Sequence, residues 1–400
     1  MTTIKSAILW DEVPGVAQAL ATDGWPWLVR APNSRWHAVF GMWQLATPGH
    51  YDIFHAYSDD FLSWTVHQIS VDANPDDATW DAGIMVDSSG RVYMVCELYA
   101  WNIAGPNWRH QIHCYYSDDH GVTWNGPEVV DTWDVPNHSA QSRPSLAVDL
   151  NDNLHVIYHF AWPALTTRHA IRAHGAGGWG APALIPGVVE HGFFHFDDTN
   201  VGHLDWSTGT GGDLYYKPYA GGAWGADVLI YSGADYNYSA GVVAAQNGDV
   251  HIVYERTPPV SWWLSSRVGG VWQPSSQLMG LEFHPLFNTD QSLALREVDA
   301  ASGVPGLVRY WHGTPWTQEP WQAPVNYEWS GRWPPMGYNL PKIGSSHPCL
   351  LPKGQIAELV ELNHLVTGDY AIGVYWLDYG LGAAPLTKPS VVTLPATGVT

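Results

Sequence analysis

The chain has 400 residues, an apolar fraction of 46% and a formal charge of −21, from 38 acidic and 17 basic side chains. The apolar fraction excludes a disordered chain, and the negative charge argues against binding to nucleic acid or docking on an anionic membrane. No run of 18 apolar residues occurs, so a transmembrane helix is not expected.

A tryptophan that follows a turn and precedes a short apolar strand recurs in chain order. The copies are separated by about 45 to 60 residues, which is the length of a four-stranded propeller blade with variable loops. They are Trp64, Trp124, Trp179, Trp224, Trp272 and Trp321.

Pairs of apolar strands joined by Gly, Asp or Asn turns keep step with these tryptophans. Short β-branched and aromatic runs around such turns are typical of hairpins, and no segment has a sustained helical period. The pairs are 82–87 with 92–95, 144–149 with 154–158, 240–243 with 250–254 and, more weakly, 347–351 with 356–360.

These units predict an all-β chain with one domain, residues 1–400, folded as a single seven-bladed β-propeller of four-stranded antiparallel blades. The blades are expected at 22–72, 78–131, 138–187, 191–232, 236–280, 282–329 and 336–394. Six or eight blades remain compatible, because the fourth and sixth units are irregular. Ile4 to Trp10 are expected to pair with the last blade and to remove an open sheet edge.

The cysteines and histidines give no metal signature. Cys96, Cys114 and Cys349 are odd in number and lack metal-type spacing, so we expect buried free thiols, the first two on neighbouring strands. His110 with His113, and His191 with His195, have ligand-like spacings, but on a strand these positions point to opposite faces or lie far apart. No metal and no cofactor is predicted.

Residues 116–124 read Tyr-Ser-Asp-Asp-His-Gly-Val-Thr-Trp and match the Asp box, Ser-x-Asp-x-Gly-x-Thr-Trp, at every defining position. Residues 57–64 are a shortened copy without Gly, and later units keep a Gly-Gly-x-Trp remnant. We expect the Asp to accept backbone N–H groups, the Gly to permit the reversal and the Trp to pack between blades. On these motifs the chain resembles the Asp-box (BNR-repeat) sialidase-like β-propeller superfamily.

The resemblance implies that the box is structural and lies on the side away from the substrate. The superfamily includes sialidases, other glycan-active hydrolases, polysaccharide lyases and non-catalytic binding proteins, and the fold does not choose among them. No Arg-Ile-Pro occurs and no arginine triad can be assigned, which argues against a sialidase. Asn137 and His138, followed by residues 143–149, resemble the propeller-type polysaccharide lyases.

Four polar residues recur just after the second strand of a unit, where blade loops converge. Repeated acidic groups at such a rim suit acid–base chemistry, a bound cation or recognition of sugar hydroxyls. The alternative is a set of solvated strand ends or buried, hydrogen-bonded groups. The residues are Glu97, His159, Glu255 and Glu361.

A lyase would need a base, an acid and a cation that neutralises the uronate. His138 or His159 is the candidate base, Tyr99 or Tyr238 the candidate acid, and Arg143 the candidate cation. Glu97 and Glu255 complete the set of candidate catalytic residues.

The same loops are rich in aromatic, His and Arg side chains. Aromatic faces stack on the C–H faces of sugars, and polar groups bond the hydroxyls or carboxylates, so a carbohydrate is the predicted ligand. Blade packing is the alternative role for many of these aromatics. The candidate ligand-binding residues are Trp101, Trp108, Arg109, Trp162, Arg168, His195, Asp197, Arg256 and Trp262.

The leading hypothesis is a glycan-recognising, non-catalytic or accessory binding protein of a virus or phage particle or of an extracellular surface. The alternatives are a polysaccharide-active enzyme, either a lyase or a glycoside hydrolase, and a structural assembly module. Expected partners are a cell-surface or polysaccharide glycan and, in a particle, other particle proteins. Residues 1–7 lack the features of a secretory signal, which also fits a cytoplasmic protein or one released by lysis.

Overall fold

In a computed structural model of the chain, the described residues are 3–11, 18–19, 27–44, 50–70, 78–101, 108–135, 142–160, 165–197, 199–208, 212–244, 248–257, 259, 261–278, 283–287, 293–298, 307–311, 317–320, 327–329, 355–364 and 370–378. Every regular element in these ranges is a β-strand. None of them contains a helix with the length and apolar character needed to cross a membrane.

Strand β1 (Thr3–Asp11), at the N-terminal end, is part of the seventh antiparallel sheet, which is described below. The first three sheets come directly after β1 in the chain. Sheet 1 contains β2 (Gln18–Ala19), β3 (Trp27–Arg30), β4 (Trp36–Gln44), β5 (His50–Ser58) and β6 (Thr65–Gln68). Sheet 2 contains β7 (Ala78–Val86), β8 (Val92–Trp101), β9 (Trp108–Ser117) and β10 (Asn125–Val135). Sheet 3 contains β11 (Ser145–Val148), β12 (Leu154–Phe160), β13 (Thr166–Arg172) and β14 (Ala183–Leu184).

The next three sheets repeat the same up-and-down order. Sheet 4 contains β15 (Glu190–Phe196), β16 (Gly202–Ser207), β17 (Asp213–Ala220), β18 (Ala223–Trp224) and β19 (Val228–Ser232). Sheet 5 contains β20 (Tyr236–Ala244), β21 (Val250–Arg256), β22 (Ser261–Val268), β23 (Val271–Trp272) and β24 (Ser276–Leu278). Sheet 6 contains β25 (Phe283–Phe287), β26 (Leu293–Val298), β27 (Leu307–Trp311) and β28 (Thr317–Pro320).

Sheet 7 joins the two ends of the chain. It contains β29 (Tyr327–Trp329), β30 (Gln355–His364) and β31 (Tyr370–Asp378), and β1 pairs with β31 as its outermost strand. The predicted pairing of residues 4 to 10 with the last unit is therefore confirmed. The sheet starts earlier than the predicted boundary at residue 336, because β29, which was expected in the sixth unit, pairs with β30. Residues 347–351 of the predicted weak hairpin lie outside the described ranges.

Contacts between neighbouring sheets place the first strands innermost. β7 contacts β11, β11 contacts β15, β15 contacts β20, and β20 contacts β25. β1 and β30 of sheet 7 contact β6 and β3 of sheet 1, which brings the two ends of the chain together. The described strands thus form seven sheets around a common axis, as a β-propeller does.

Sheets 3 and 4 are buried on both faces, because each one packs between its two neighbours. Leu146 and Val148 of β11 belong to the core shared with sheet 2, whereas Ala147 between them belongs to the core shared with sheet 4. Phe194 of β15 faces sheet 3, and Phe193 faces sheet 5. The two-residue period of a strand therefore distributes adjacent apolar residues to different interfaces, which explains their continuous apolar runs.

The Asp box has the predicted turn geometry. Asp119 Oδ1 accepts two backbone N–H groups at 3.1 and 2.7 Å, and its Oδ2 accepts the Thr123 hydroxyl at 2.6 Å. Gly121 has a φ of 85°, which side chains other than glycine rarely adopt. The ring of Trp124 lies 4.8 Å from that of His55 in sheet 1. The turn is therefore held by local hydrogen bonds, and its tryptophan packs between sheets.

The two described cysteines are free and buried, as expected. Cys96 of β8 lies beside Val95, whose register partner in β9 is Cys114, so the two thiols occupy neighbouring strands. Burial raises the pKa of the Cys114 thiol well above its usual range, which makes it a poor nucleophile.

The propeller has two faces with different connections. One face carries the turns from first to second strands and from third to fourth strands, including the Asp box, and is called here the turn face. The other carries the connections from second to third strands and the segments that enter the first strands, and is called here the rim face. Each strand runs from one face to the other, so the residues at its two ends belong to opposite faces. Because neighbouring strands are antiparallel, successive strands begin at opposite faces.

Candidate functional site

Glu97, near the end of β8, joins sheets 2 and 3 just below the rim face. Its Oε1 accepts the Ser142 hydroxyl at 2.6 Å and lies 2.7 Å from His110 Nδ1, and its Oε2 accepts the Ser142 backbone N–H at 2.6 Å. All three side chains are buried. The Ser142 carbonyl accepts the His159 backbone N–H at 2.7 Å. Glu97 therefore anchors the segment that leads into β11.

Arg143 follows this anchored serine and precedes Pro144. Its φ of 43° lies in the left-handed region, which is uncommon for a residue other than glycine and adds backbone strain. Its guanidinium lies 3.6 Å from the carboxylate of Glu190 at the start of β15, and both side chains are partly exposed. Because the two residues lie at the entrances of the innermost strands of sheets 3 and 4, the pair borders the axis on the rim face.

Arg168 of β13 is held at the boundary between sheets 2 and 3. Its Nη1 lies 2.6 Å from Asp131 Oδ2, and the Tyr158 hydroxyl donates to the same oxygen at 2.5 Å. The guanidinium carbon lies 3.6 Å from the ring centre of Phe160. Burial, followed by the hydrogen bond to Asp131, raises the pKa of Tyr158 well above its usual range. Tyr158 therefore stays a hydrogen-bond donor at ordinary pH.

Arg256, at the end of β21, lies between two aromatic rings at the boundary between sheets 4 and 5. Its guanidinium carbon is 4.5 Å from the ring centres of both Tyr231 and Trp263. Its Nε and Nη2 lie 2.8 and 2.6 Å from Asp235 Oδ2, and the Tyr231 hydroxyl donates to Oδ1. The hydrogen bonds from Tyr231 and Arg256 lower the pKa of Asp235. The cluster presents a charged pair framed by aromatic faces.

Arg109 lies on the outer part of sheet 2 at the rim face. Its Nε is 2.9 Å from Asp134 Oδ1, directly across from it in β10. Trp108, its neighbour in β9, is partly buried and packs against the core. The backbone register places Trp108 opposite Trp101 at the end of the β8–β9 hairpin.

The other recurring polar residues are not exposed where they are described. Glu255 is 7% exposed and His159 is 4% exposed. Glu361 lies in β30, in register with Ile372 of β31. The position therefore recurs in several sheets, and the side chains of Glu97, His159 and Glu255 at it are packed into the protein.

Three candidate ligand-binding residues are not brought to the rim face surface. Trp262 is 1% exposed, so its ring lies in the interior. His195 is buried near the turn-face end of β15, and burial lowers its pKa to about 4. Asp197 lies in the turn after β15, where it accepts the backbone N–H groups of Thr199 and Val201, both at 2.9 Å. This turn follows the end of β15 that lies at the turn face, so it is on the face opposite to the rim face.

For some predicted residues the structure describes the backbone position alone, and others lie outside the described ranges. Tyr99 lies in β8 opposite His110, and Tyr238 lies in β20 opposite Glu255, both toward the rim face. His138 and Trp162 lie outside the described residues. Their proposed roles stay predictions.

The carboxylates that pair with the candidate arginines were missed in the sequence. They are Asp131, Asp134, Glu190 and Asp235. Only Asp134 has a local signal, since it faces Arg109 once the register of β9 and β10 is known. The other three come from a neighbouring sheet or from the connection between two sheets, so no spacing in the sequence reports them.

The chemistry that this arrangement offers is recognition by charged pairs and ring faces. Within the described part of the chain, no three His, Cys, Asp or Glu side chains are placed to hold a metal ion. Of the candidate acids and bases, Glu97, His159 and Glu255 are buried, whereas the arginine pairs retain accessible surface.

Comparisons with known proteins identify the architecture. No protein family and no curated protein matches the sequence. A polysaccharide lyase, Uly1, is similar in structure with a TM-score of 0.56 at 9% identity, over 92% of this chain and 93% of that chain. A protein of unknown function from Dyadobacter fermentans has a TM-score of 0.50 at 12% identity, over 94% of this chain and 99% of that chain. These similarities support the all-β propeller fold that the repeat predicted.

Proposed function

We propose that this protein binds glycans at the rim face and does not itself transform them. The observation that carries the proposal is a contrast in exposure. Glu97 is 0% exposed and bonded on both oxygens, whereas the side chains of Arg109, Arg168 and Arg256 are 24 to 31% exposed. The carboxyl group of Glu97, which is suited to acid–base chemistry, is enclosed, whereas these arginines, which are suited to binding, are accessible.

The accessible groups match the chemistry of a sugar. A guanidinium donates to ring and hydroxyl oxygens, its carboxylate partner accepts from hydroxyls, and the partly exposed aromatic rings beside Arg256 and Arg168 add apolar surface next to these groups. The fold similarity to a polysaccharide lyase supports a glycan as the class of ligand.

The test is binding of the full chain to an array of cell-surface and polysaccharide glycans, with two matched variants. Arg256→Ala should weaken binding on the order of tenfold, because it removes charge-assisted hydrogen bonds. Arg35→Ala is the control. Arg35 also lies 4.5 Å from a tyrosine ring, that of Tyr57, and 2.7 Å from a carboxylate, that of Asp59, but on the turn face.

Equal losses in the two variants, or no binding of the unaltered chain to any glycan, would contradict the proposal. The second outcome would favour the alternative of a structural assembly module. The array would then be followed by a search for protein partners in a symmetric particle.

A polysaccharide lyase is the second candidate, favoured by the left-handed conformation of Arg143. Backbone strain in a non-glycine residue is often found at active sites, and Arg143 is fixed by the Ser142 anchor on the rim face. Incubation with uronate polymers should then release unsaturated products that absorb in the ultraviolet. Inactivity across a broad panel would leave the binding proposal as the better one.

The setting that we propose is an extracellular surface or a virus particle. The supporting observation is compositional: a chain with a net charge of −21 and few charged residues of either sign, 14% in all, is a suitable soluble surface protein.

A further inference from the structure

The arginines at the rim face share one property that bears on the kind of glycan. Each of the four whose side chains the structure describes there has a carboxylate partner within 4 Å. The pairs are Arg109–Asp134 at 2.9 Å, Arg143–Glu190 at 3.6 Å, Arg168–Asp131 at 2.6 Å and Arg256–Asp235 at 2.6 Å.

In each pair the positive charge of the arginine is balanced by a carboxylate, and the whole chain carries a formal charge of −21. A ligand carboxylate that bonds to one of these guanidinium groups would lie close to the protein carboxylate already paired with it. Like charges at such distances repel, so an acidic glycan meets a cost at every one of the four positions.

An uncharged hydroxyl meets the opposite situation. A hydroxyl both donates and accepts hydrogen bonds, and a guanidinium beside a carboxylate supplies one donor and one acceptor at adjacent points. Two neighbouring hydroxyls of a sugar can therefore bond to the pair without breaking it. The aromatic rings that frame Arg168 and Arg256 add contacts that do not depend on charge.

We infer that the rim face selects uncharged glycans and discriminates against those that carry carboxylates. This inference rests on the proposed glycan binding and narrows its substrate class. In this interpretation Glu190 is a specificity-determining residue, because it neutralises the arginine nearest the axis.

The experiment compares matched glycans that differ only in charge, such as uronate oligosaccharides and their methyl esters, within a broad array of neutral and sialylated glycans. The unaltered chain should bind neutral members and esters in preference to the free acids. Glu190→Gln, which keeps the shape but removes the charge, should improve binding of free acids relative to neutral glycans on the order of tenfold. Asp235→Asn, which frees Arg256 in the same way, is the second variant.

Asp59→Asn is the control, because it frees Arg35 of a similar pair on the turn face. It should leave the ratio of acidic to neutral binding unchanged. Preferential binding of free acids by the unaltered chain would overturn the inference but keep glycan binding. The absence of binding to any glycan would overturn the proposed function itself. A ratio that stays constant in both Glu190→Gln and Asp235→Asn, with thermal midpoints near that of the unaltered chain, would remove the assigned role of the pairs.

Discussion

Single carboxylates at the turn face follow a rule that repeats from sheet to sheet. Asp87, Asp149 and Asp197 each follow a first strand, and each Oδ1 accepts the backbone N–H groups two and four residues later at 2.8 to 3.0 Å. In two of the turns, Oδ2 lies near a histidine six residues on, His155 at 3.5 Å and His203 at 3.0 Å. These carboxylates stabilise the turn that contains them, whereas Glu97, at the rim-face end of a strand, connects two sheets.

Glu97→Ala should lower the free energy of unfolding by about 3 kcal/mol, because it leaves the buried Ser142 and His110 groups without their acceptor. Asp134→Ala is the matched comparison, since Asp134 is also paired with a basic side chain in sheet 2 but is 49% exposed. An exposed pair contributes about 1 kcal/mol or less. Urea unfolding of the two variants measures the difference, and comparable losses would show that Glu97 is not an anchor.

Hairpin turns between the third and fourth strands are built in two ways. Sheet 2 uses the Asp box, whereas sheets 4 and 5 use two glycines, Gly221 with Gly222 and Gly269 with Gly270. All four glycines have φ between 57° and 83°, the conformation of a two-residue type I′ turn, which other residues strain to adopt. The Gly-Gly remnants are thus a different turn that keeps the tryptophan in the same place, and not merely a decayed box.

Asp119→Ala should loosen the hairpin of β9 and β10 while the rest of sheet 2 stays folded. Partial burial opposes ionisation of Asp119, but its hydrogen bonds with Thr123, Ser117 and the Val122 N–H lower its pKa to about 2. The loss of these bonds should cost about 1 to 2 kcal/mol locally. Hydrogen exchange of the Thr123 amide measures the effect. Asp118→Ala removes only the pair with Arg91, and equal acceleration in both variants would contradict the assignment.

The whole ring encloses histidines whose neutral form is required for packing. His155 lies 2.9 Å from His169 between β12 and β13, and His37 lies 3.1 Å from His55 between β4 and β5, nitrogen to nitrogen. Two imidazoles at this distance repel each other when both are in the positively charged form. Burial is the first cause of a lowered pKa in these groups, for example to about 3 in His37 and in His169.

The protein should therefore lose stability as the pH falls from about 7 to 5. A histidine with a folded pKa below its unfolded value of 6.5 binds more protons when unfolded, so its contribution is complete above pH 6.5 and decreases below it. Each such group costs about 1 kcal/mol between pH 7 and 5.5. Five histidines, four of them buried and His251 partly buried, have a pKa lowered to about 3 or 4: His37, His113, His169, His195 and His251.

The measurement is the thermal midpoint as a function of pH. His169→Gln, which can still bond to His155, should flatten the decline, whereas His174→Gln at an exposed turn should not change it. Asp60 and Asp119, with a pKa near 2, act only below about pH 4 and do not affect this range. A midpoint that is constant from pH 7 to 5 would contradict the role of the buried histidines.

At all three scales, features that depend on neighbours in the chain were predictable. The tryptophan period, the Asp box and the hairpins are local patterns, so they gave the all-β propeller and the closing role of residues 4 to 10. The recurrence of Glu97, His159 and Glu255 at one structural position was predictable for the same reason. Trp262, in contrast, was predicted at the rim-face surface but is buried. The burial of one strand position depends on the adjacent sheet, which local sequence patterns do not show.

The amino-acid sequence by itself determined the repeat, because turns and two-residue strand periods are set by residues close together in the chain. Only the tertiary structure decided which carboxylate meets each rim arginine, since Glu190 reaches Arg143 and Asp131 reaches Arg168 across sheet boundaries. Such contacts depend on how the sheets pack about the axis. The charges of these pairs bear on the class of ligand that we propose. Their distances are not encoded by any spacing in the sequence.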